Sequence, residues 1–354
     1  MIQRNCSVCI LGGGPAALLS QALLLRKGIS SCIFAKSVLG NLAPLRVGEV
    51  RITPIPIFVS PETHLFRQLT LGQLTDSDYV TTNYSPEASS DVSDNILPGS
   101  YAEFILQQYP DGAKRLIITK KHLGTLPFRC DLPGLRRKVL SHYPPGHLPP
   151  RRVGFNEGIS PYLRSIERVQ CHQVVNEDVL AVDVDKQRII TKSYQVTYER
   201  LISTLPLLDF LALAAIKTPL TTVGGDAQMV VASTRQLKGR NQLIYDCDAT
   251  SPVYRAFIPR DNVVVAQVAR AHWDIKDLAI AARVQELFAF SDRPIVVKRL
   301  TVRSCYPLGL SDYSLRDVII ADLEQLGVTL FGRLAQWEYL DLEELDWERI
   351  ECLF

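Results

Sequence analysis

Apolar and polar positions alternate with two rhythms along this chain. Residues 7–11 (Ser-Val-Cys-Ile-Leu) are a short apolar run. Three glycines follow at 12–14, and an Ala/Leu-rich segment runs from 16 to 26. Gly28 closes that segment, and 31–35 is a second apolar run. Short apolar runs bounded by glycine read as buried strands; the longer Ala/Leu segment reads as a helix. The pattern predicts strand, tight turn, helix, strand, a βαβ unit of about thirty residues. A right-handed crossover makes its two strands parallel neighbours.

Further along, 76–100 is rich in Ser, Asp and Pro and reads as an exposed loop. Residues 101–108 read as the start of a helix, and 143–150 is rich in Pro and Gly. From 174 to 191 the alternation of Val179, Ala181, Val182, Val184, Ile189 and Ile190 predicts a hairpin turning near Asp185 and Lys186. A buried strand over 201–205 ends at Pro206, with a helix after it. Residues 228–233, 242–247, 253–258 and 262–270 read as successive strands, hence an antiparallel sheet. Apolar residues at three- and four-residue steps predict helices over 275–290 and 312–326.

The length of 354 residues suggests two domains. Apolar residues at 47% and charged residues at 21% exclude global disorder, coiled coil and collagen. The net charge of +2 gives no dominant attraction to nucleic acid. Arg136, Arg137, Lys138, Arg151 and Arg152 form either a solvated face or a patch that steers an anionic substrate. The most apolar stretch, 201–216, is broken by Pro206 and Asp209, so no membrane span is expected. Gly12 to Pro15 interrupts the place where a secretory h-region would run, so the expected location is cytoplasmic. Eight cysteines do not make a disulfide framework in a chain of this length. Cys6 and Cys9 have C-x-x-C spacing, which suits a redox pair, half a zinc site, or two small buried residues on the first strand. No metal site is completed elsewhere. No G-x-S-x-G, P-loop lysine or H-E-x-x-H supports a hydrolase, NTPase or metalloprotease reading.

Gly12-Gly13-Gly14-Pro15-Ala16-Ala17 fits G-x-G-x-x-A between a predicted strand and a predicted helix. Gly12 permits the tight turn, Gly14 lets the backbone approach a pyrophosphate, and Ala17 allows close helix–strand packing. The pyrophosphate would sit at the helix N-terminus, where free N–H groups and the dipole favour negative charge. The ribose carboxylate usual at the end of the second strand is replaced by Ala35. Lys36 beside it suits either a phosphorylated ribose or a solvated strand end.

The segment Gly332-Arg333-Leu334-Ala335-Gln336-Trp337-Glu338-Tyr339-Leu340-Asp341-Leu342-Glu343 resembles the flavin-adjacent end of UDP-galactopyranose mutases and related amine-oxidase-like and protoporphyrinogen-oxidase-like FAD proteins. Three other segments are similar to the same family. They are Tyr198 to Pro206 with its Ser-Thr-x-Pro end, Ser251-Pro-Val-Tyr-Arg255, and Cys305-Tyr306-Pro307. The resemblance implies an α/β fold: a Rossmann-like FAD-binding domain with an inserted helical region and an antiparallel β-sheet substrate domain. The FAD domain is expected over 1–75, 151–215 and 300–354, and the inserted substrate or cap domain over 76–150 and 216–299.

By resemblance, FAD contacts fall at Gly12, Gly14, Pro15, Ala16, Ala17, Lys36, Val179, Gly332, Arg333 and Leu342. Substrate contacts fall at Arg255, Arg333, Tyr339 and Asp341. Arginine forks and a phenol suit phosphate or carboxylate, so a small anionic, nucleotide-linked substrate is the expectation. Arg333 and Asp341 have an alternative as an internal ion pair, and Trp337 either stacks on a ring or packs an interface. The implied activity is that of an oxidoreductase or a flavin-dependent isomerase, with a homo-oligomer left open. The chain departs from the family at Ala35, at Gly40-Asn41 where paired glycines are usual, and at Thr53 to Phe58 around Ile57. Either FAD is held differently, or the chain is a flavin-free ligand-binding or partner protein on the same scaffold.

Overall fold

The N-terminal pattern folds as its spacing suggests. The structure, a computed structural model, describes residues 1–37, 45–53, 58–59, 81–84, 153–154, 174–235, 239, 241–248, 250–269 and 272–353. Its strands begin with β1 (Ile2–Leu11), β2 (Ser31–Phe34), β3 (Leu45–Val47), β4 (Val50–Ile52), β5 (Phe58–Val59), β6 (Thr81–Tyr84), β7 (Val153–Gly154) and β8 (Val174–Val175). They continue with β9 (Val179–Asp183), β10 (Arg188–Thr191), β11 (Tyr194–Ser203), β12 (Thr222–Ser233), β13 (Gln242–Tyr245), β14 (Val253–Arg260), β15 (Val263–Val268), β16 (Ile295–Leu310) and β17 (Val328–Leu330). The helices are α1 (Pro15–Arg26), α2 (Leu207–Leu213), α3 (Asp277–Leu287), α4 (Tyr313–Gln325) and α5 (Trp347–Glu351).

The first sheet has the order β8-β2-β1-β11-β10-β9, and β17 also pairs with β11. β1 runs parallel to β2 and to β11, with Leu11 opposite both Phe34 and Ser203. β11 takes β10 antiparallel along its first half and β17 parallel along its last three residues. Alternation along β1 splits the core. Val8 and Ile10 pack with Leu18 and Leu19 of α1 and with Trp347 and Ile350 of α5. Cys9 and Leu11 face Val182, Ile189, Leu201 and Phe210. Burial of each large apolar side chain is worth ~1.5–3 kcal/mol. Pro15 starts α1, where its missing N–H costs nothing. Gly28, at φ +75°, ends it.

The second sheet has the order β16-β12-β15-β14-β13-β6. All its pairs are antiparallel except β6 with β13. One face (Val230, Val264, Ala266) packs on Ile280, Val284 and Phe288 in and just after α3. The other face (Met229, Val231, Val265, Tyr306, Leu308) packs on Tyr339 and on Val47 and Ile52 of the β3–β4 hairpin.

Three differences from the sequence reading stand out. β1 starts at Ile2 rather than near residue 7, because its first, exposed half is held by the ladder to β11 and not by burial. Residues 81–84, expected within an exposed loop, form β6, anchored where the Thr81 N–H donates to the Asn241 carbonyl at 2.9 Å. Thr-Thr-Asn-Tyr carries the β-branched and aromatic residues that favour strands. The long β16 pairs with β12 through several bulges, which broke its pattern in the sequence. The helical start expected at 101–108 and the inserted helical region lie outside the described residues. Among the described residues no helix is long and apolar enough to cross a membrane.

Candidate functional site

β1 delivers the glycine loop to the C-terminal edge of the parallel strands. Gly12 sits at φ +107°, and its N–H donates to the Phe34 carbonyl at 2.9 Å. A Cβ there would collide with the Thr204 hydroxyl, itself fixed by donating to the Leu11 carbonyl at 2.9 Å. A Cβ at Gly13 would collide with the Ser37 carbonyl oxygen. Protein packing therefore accounts for glycine at 12 and 13. Gly14 is different: its φ of −79° suits any residue, and a Cβ there meets no described atom within 4 Å. Gly14 is also the N-cap of α1, with no side-chain cap and no acidic residue in the first turn. The helix thus presents backbone N–H groups that no described side chain caps or covers, the arrangement that suits a phosphate.

Ala35 is buried at the end of β2, against the loop. Lys36 pairs with Asp178 at 3.4 Å on the surface, and Val179 follows at the start of β9. Lys36 and Val179 are therefore brought to the same strand end. Gly40, Asn41 and Ile57 lie outside the described residues.

A second group assembles on the second sheet. Arg333 lies over the Tyr306 ring, 5.8 Å from its centroid. Tyr339 is tilted against the same ring at 5.6 Å. The Tyr306 and Tyr254 hydroxyls are 3.5 Å apart. Tyr254 donates to Gln267 Oε1 at 2.5 Å, and the Arg255 Nε–H donates to the same oxygen. Arg255 also lies 5.8 Å from the Tyr254 ring centroid. Arg255 and Arg333, 78 positions apart in the chain, thus meet through two tyrosines. Burial pushes the Tyr254 and Tyr306 phenols above their ordinary pKa, so both are neutral at pH 7.

Charge is distributed unevenly. Arg283 pairs with Asp246 at 2.6 Å, Arg299 with Asp277 at 2.5 Å and Arg316 with Asp317 at 2.6 Å. Among the described residues neither Arg255 nor Arg333 has a carboxylate partner; their neighbours are an amide, phenols and aromatic rings. The Arg333–Asp341 ion pair is not formed. Asp341 is instead the N-cap of the turn Leu342–Glu344: its carbonyl accepts the Glu344 N–H at 3.0 Å, while its own N–H donates to Glu344 Oε2 at 2.5 Å. Leu342 packs toward the α1 core. Trp337 is buried, with its indole N–H on the Gly309 carbonyl at 2.6 Å, a packing position and not a stacking one.

Gly332 connects the two groups. At φ +106°, a Cβ on it would stand 3.2 Å from the Ala16 Cβ. One residue later Arg333 enters the tyrosine cluster. Tyr254, Tyr306 and Gln267 were not singled out from sequence as site residues. A lone amide inside the valine-rich strand Val263–Val268 was the available sign for Gln267.

The C-x-x-C pair has a third member. Cys32 sits opposite Cys9 in the β1–β2 ladder, and the Cys6 thiol contacts both. Hydrogen bonds from Cys32 and then Cys9 pull the Cys6 pKa down. The same contact with Cys6, followed by burial, pushes Cys9 and Cys32 up. All three thiols are free.

No protein-family model matches the chain, and no curated protein matches it in sequence. Solved structures do match. Reduced UDP-galactopyranose mutase superposes with a TM-score of 0.63 at 13% identity, over 94% of this chain and 89% of that one. Putrescine oxidase bound to putrescine superposes with a TM-score of 0.64 at 13% identity, over 99% of each chain. A CLA-producing fatty acid isomerase from P. acnes gives 0.62 at 14% identity, over 98% and 97%. The fold is shared with UDP-galactopyranose mutase and putrescine oxidase. It extends over nearly the whole length of each partner, and at such identities the likeness is one of architecture.

Proposed function

We propose that this chain is a FAD-dependent enzyme, an oxidoreductase or a flavin-dependent isomerase, acting on a small anionic and nucleotide-linked substrate. The observation that carries the reading is the dipeptide Gly332-Arg333. Its glycine packs on Ala16 in the first turn of the loop helix, and its arginine stands over Tyr306 in the substrate sheet. A dinucleotide laid along the loop leads toward that arginine.

The residues present fit FAD. Gly12, Gly14, Pro15, Ala16 and Ala17 would take the pyrophosphate, through the uncapped start of α1 and the open approach at Gly14. Lys36 and Val179 would lie toward the adenosine, and Gly332, Arg333 and Leu342 toward the flavin. When bound, FAD supplies a two-electron redox centre. Arg255 and Arg333 would hold the substrate's anionic group, with Tyr339 beside them. Asp341 would act through the turn that it caps. The division into an FAD domain (1–75, 151–215, 300–354) and a substrate domain (76–150, 216–299) belongs to the same reading.

The test is direct. The purified full-length chain should show flavin absorbance, and heat should release FAD in about one equivalent, identified by chromatography. A colourless protein that takes up no FAD on reconstitution would overturn the reading and leave a ligand-binding protein on this fold.

A further inference from the structure

Gln267 is buried within a strand of valines, where a polar side chain costs stability unless its hydrogen bonds are made. Three of the four hydrogen-bonding directions of its amide are used. A guanidinium can only donate, so the atom facing Arg255 is the amide oxygen. That oxygen also accepts from Tyr254 at 2.5 Å. The amide nitrogen is thereby turned onto the Met229 sulfur, at 2.9 Å. Gln267 is thus locked in one orientation, and Arg255 is held through its Nε edge.

A glutamate would make the same hydrogen bond to Arg255 but would cancel its charge. The structure uses that solution elsewhere, at Arg283, Arg299 and Arg316. Here the holding group is neutral, and so are the phenols of Tyr254 and Tyr306. Arg333, on the far side of Tyr306, likewise has no carboxylate partner among the described residues. The cluster therefore fixes two cations without neutralising either.

We propose that Gln267 is the positioning residue of an anion site. It aims the Arg255 guanidinium at the anionic group of the substrate and, being uncharged, leaves that cation's full charge for the substrate. This rests on the anionic-substrate reading above. It adds a specificity rule: a phosphate or carboxylate group is selected over a neutral analogue because the residue beneath Arg255 is an amide and not an acid.

The test uses the full-length chain with saturating FAD, which occupies the glycine loop, and inorganic pyrophosphate as probe, followed by calorimetry. Arg255→Met should weaken pyrophosphate binding by about tenfold or more, the loss of a charge-assisted hydrogen bond. Gln267→Met should weaken it by a smaller factor. The double variant should bind no worse than Arg255→Met, because Gln267 acts only through Arg255. Gln267→Glu should bind more weakly than Gln267→Met although it keeps the hydrogen bond, an order that a purely structural role would not produce. Losses that multiply in the double variant, or Gln267→Glu binding like the parent chain, would overturn the proposal. If Gln267→Glu does not fold, the cycle with methionine decides alone. A parent chain that holds FAD but binds no pyrophosphate would instead sink the anionic-substrate reading, and the role of Gln267 with it.

Discussion

Gly332 and Ala16 touch almost backbone to backbone, with only 3.2 Å between the Ala16 Cβ and the place where a Cβ on Gly332 would stand. Gly332 has little room for a side chain on the side of Ala16, and it also needs its positive φ. Gly332→Val is expected to destabilise the chain by about 1–3 kcal/mol through overpacking and strain. It should also lower FAD content in the fraction that remains folded. Thermal melting and flavin release measure the two effects separately.

The loop glycines should divide into two kinds. Gly12→Ala meets the Thr204 hydroxyl at an unfavourable φ, and should lower the melting temperature whether or not FAD is present. Gly14→Val faces no described atom, so it should lower the melting temperature of the FAD-free chain less than Gly12→Ala does, by no more than the weaker N-cap, while reducing bound FAD. Equal FAD content in Gly14→Val and the parent chain would remove Gly14 from the cofactor site.

Arg333 has an aromatic ring beneath it and no carboxylate beside it among the described residues. Arg333→Met should therefore strand no buried acid. The expected outcome is an unchanged melt with anion binding weakened by about 1.5–3 kcal/mol. A large drop in melting temperature with unaltered affinity would show the arginine to be structural.

Ala35 ends β2 with no carboxylate for a ribose. Ala35→Glu should supply one and raise FAD occupancy at limiting FAD, read from the absorbance of the protein after gel filtration. A sharp loss of FAD would show that this strand end, with Lys36 and Asp178, is occupied in another way.

Cys6 should be the thiol that reacts at low pH. Its two thiol neighbours stabilise the thiolate and shift its titration to more acidic values, so the reactive form is present well below the range of an ordinary cysteine. Alkylation by iodoacetamide at pH 6, read by mass spectrometry, should label Cys6 ahead of the exposed Cys352. The reverse order would contradict the shift.

Elements with a local cause were legible in the sequence. Pro15 and Gly28 bracket α1, and the hairpin turns between Asp183 and Arg188, where the Lys186 N–H donates to the Asp183 carboxylate. The strands β12 and β15 follow from their valine-rich runs, and β13 and β14 from short runs of branched and aromatic residues. The candidate arginines and Tyr339 came from the resemblance; all three lie near Tyr306, a proximity that says nothing by itself of a ligand. What the sequence concealed depends on distant partners. The exposed half of β1 is a strand only because β11 lies beside it, and β6 only because β13 does. Gln267 is polar inside an apolar strand, and its purpose becomes visible only when Arg255, Tyr254 and Met229 are beside it. Arg333 and Asp341 had an alternative as an ion pair in sequence, but Asp341 is taken up as the N-cap of the turn that follows it.

β11 lies at the centre of the first sheet, with β1 along one side and, on the other, β10 beside its first half and β17 beside its last three residues. During synthesis, β1 and the β9–β10 hairpin are available as soon as β11 emerges. β17 follows more than a hundred residues later, an interval on the order of ten seconds at ribosomal speed. Until then the apolar end of β11, at Leu201 and Ile202, keeps an open hydrogen-bonding edge. A nascent chain paused in that interval exposes a sticky strand next to an unfinished cofactor loop. On the proposed function, FAD added at that stage would meet the glycine turn but not Gly332, so its capture would be a late event in the life of the chain.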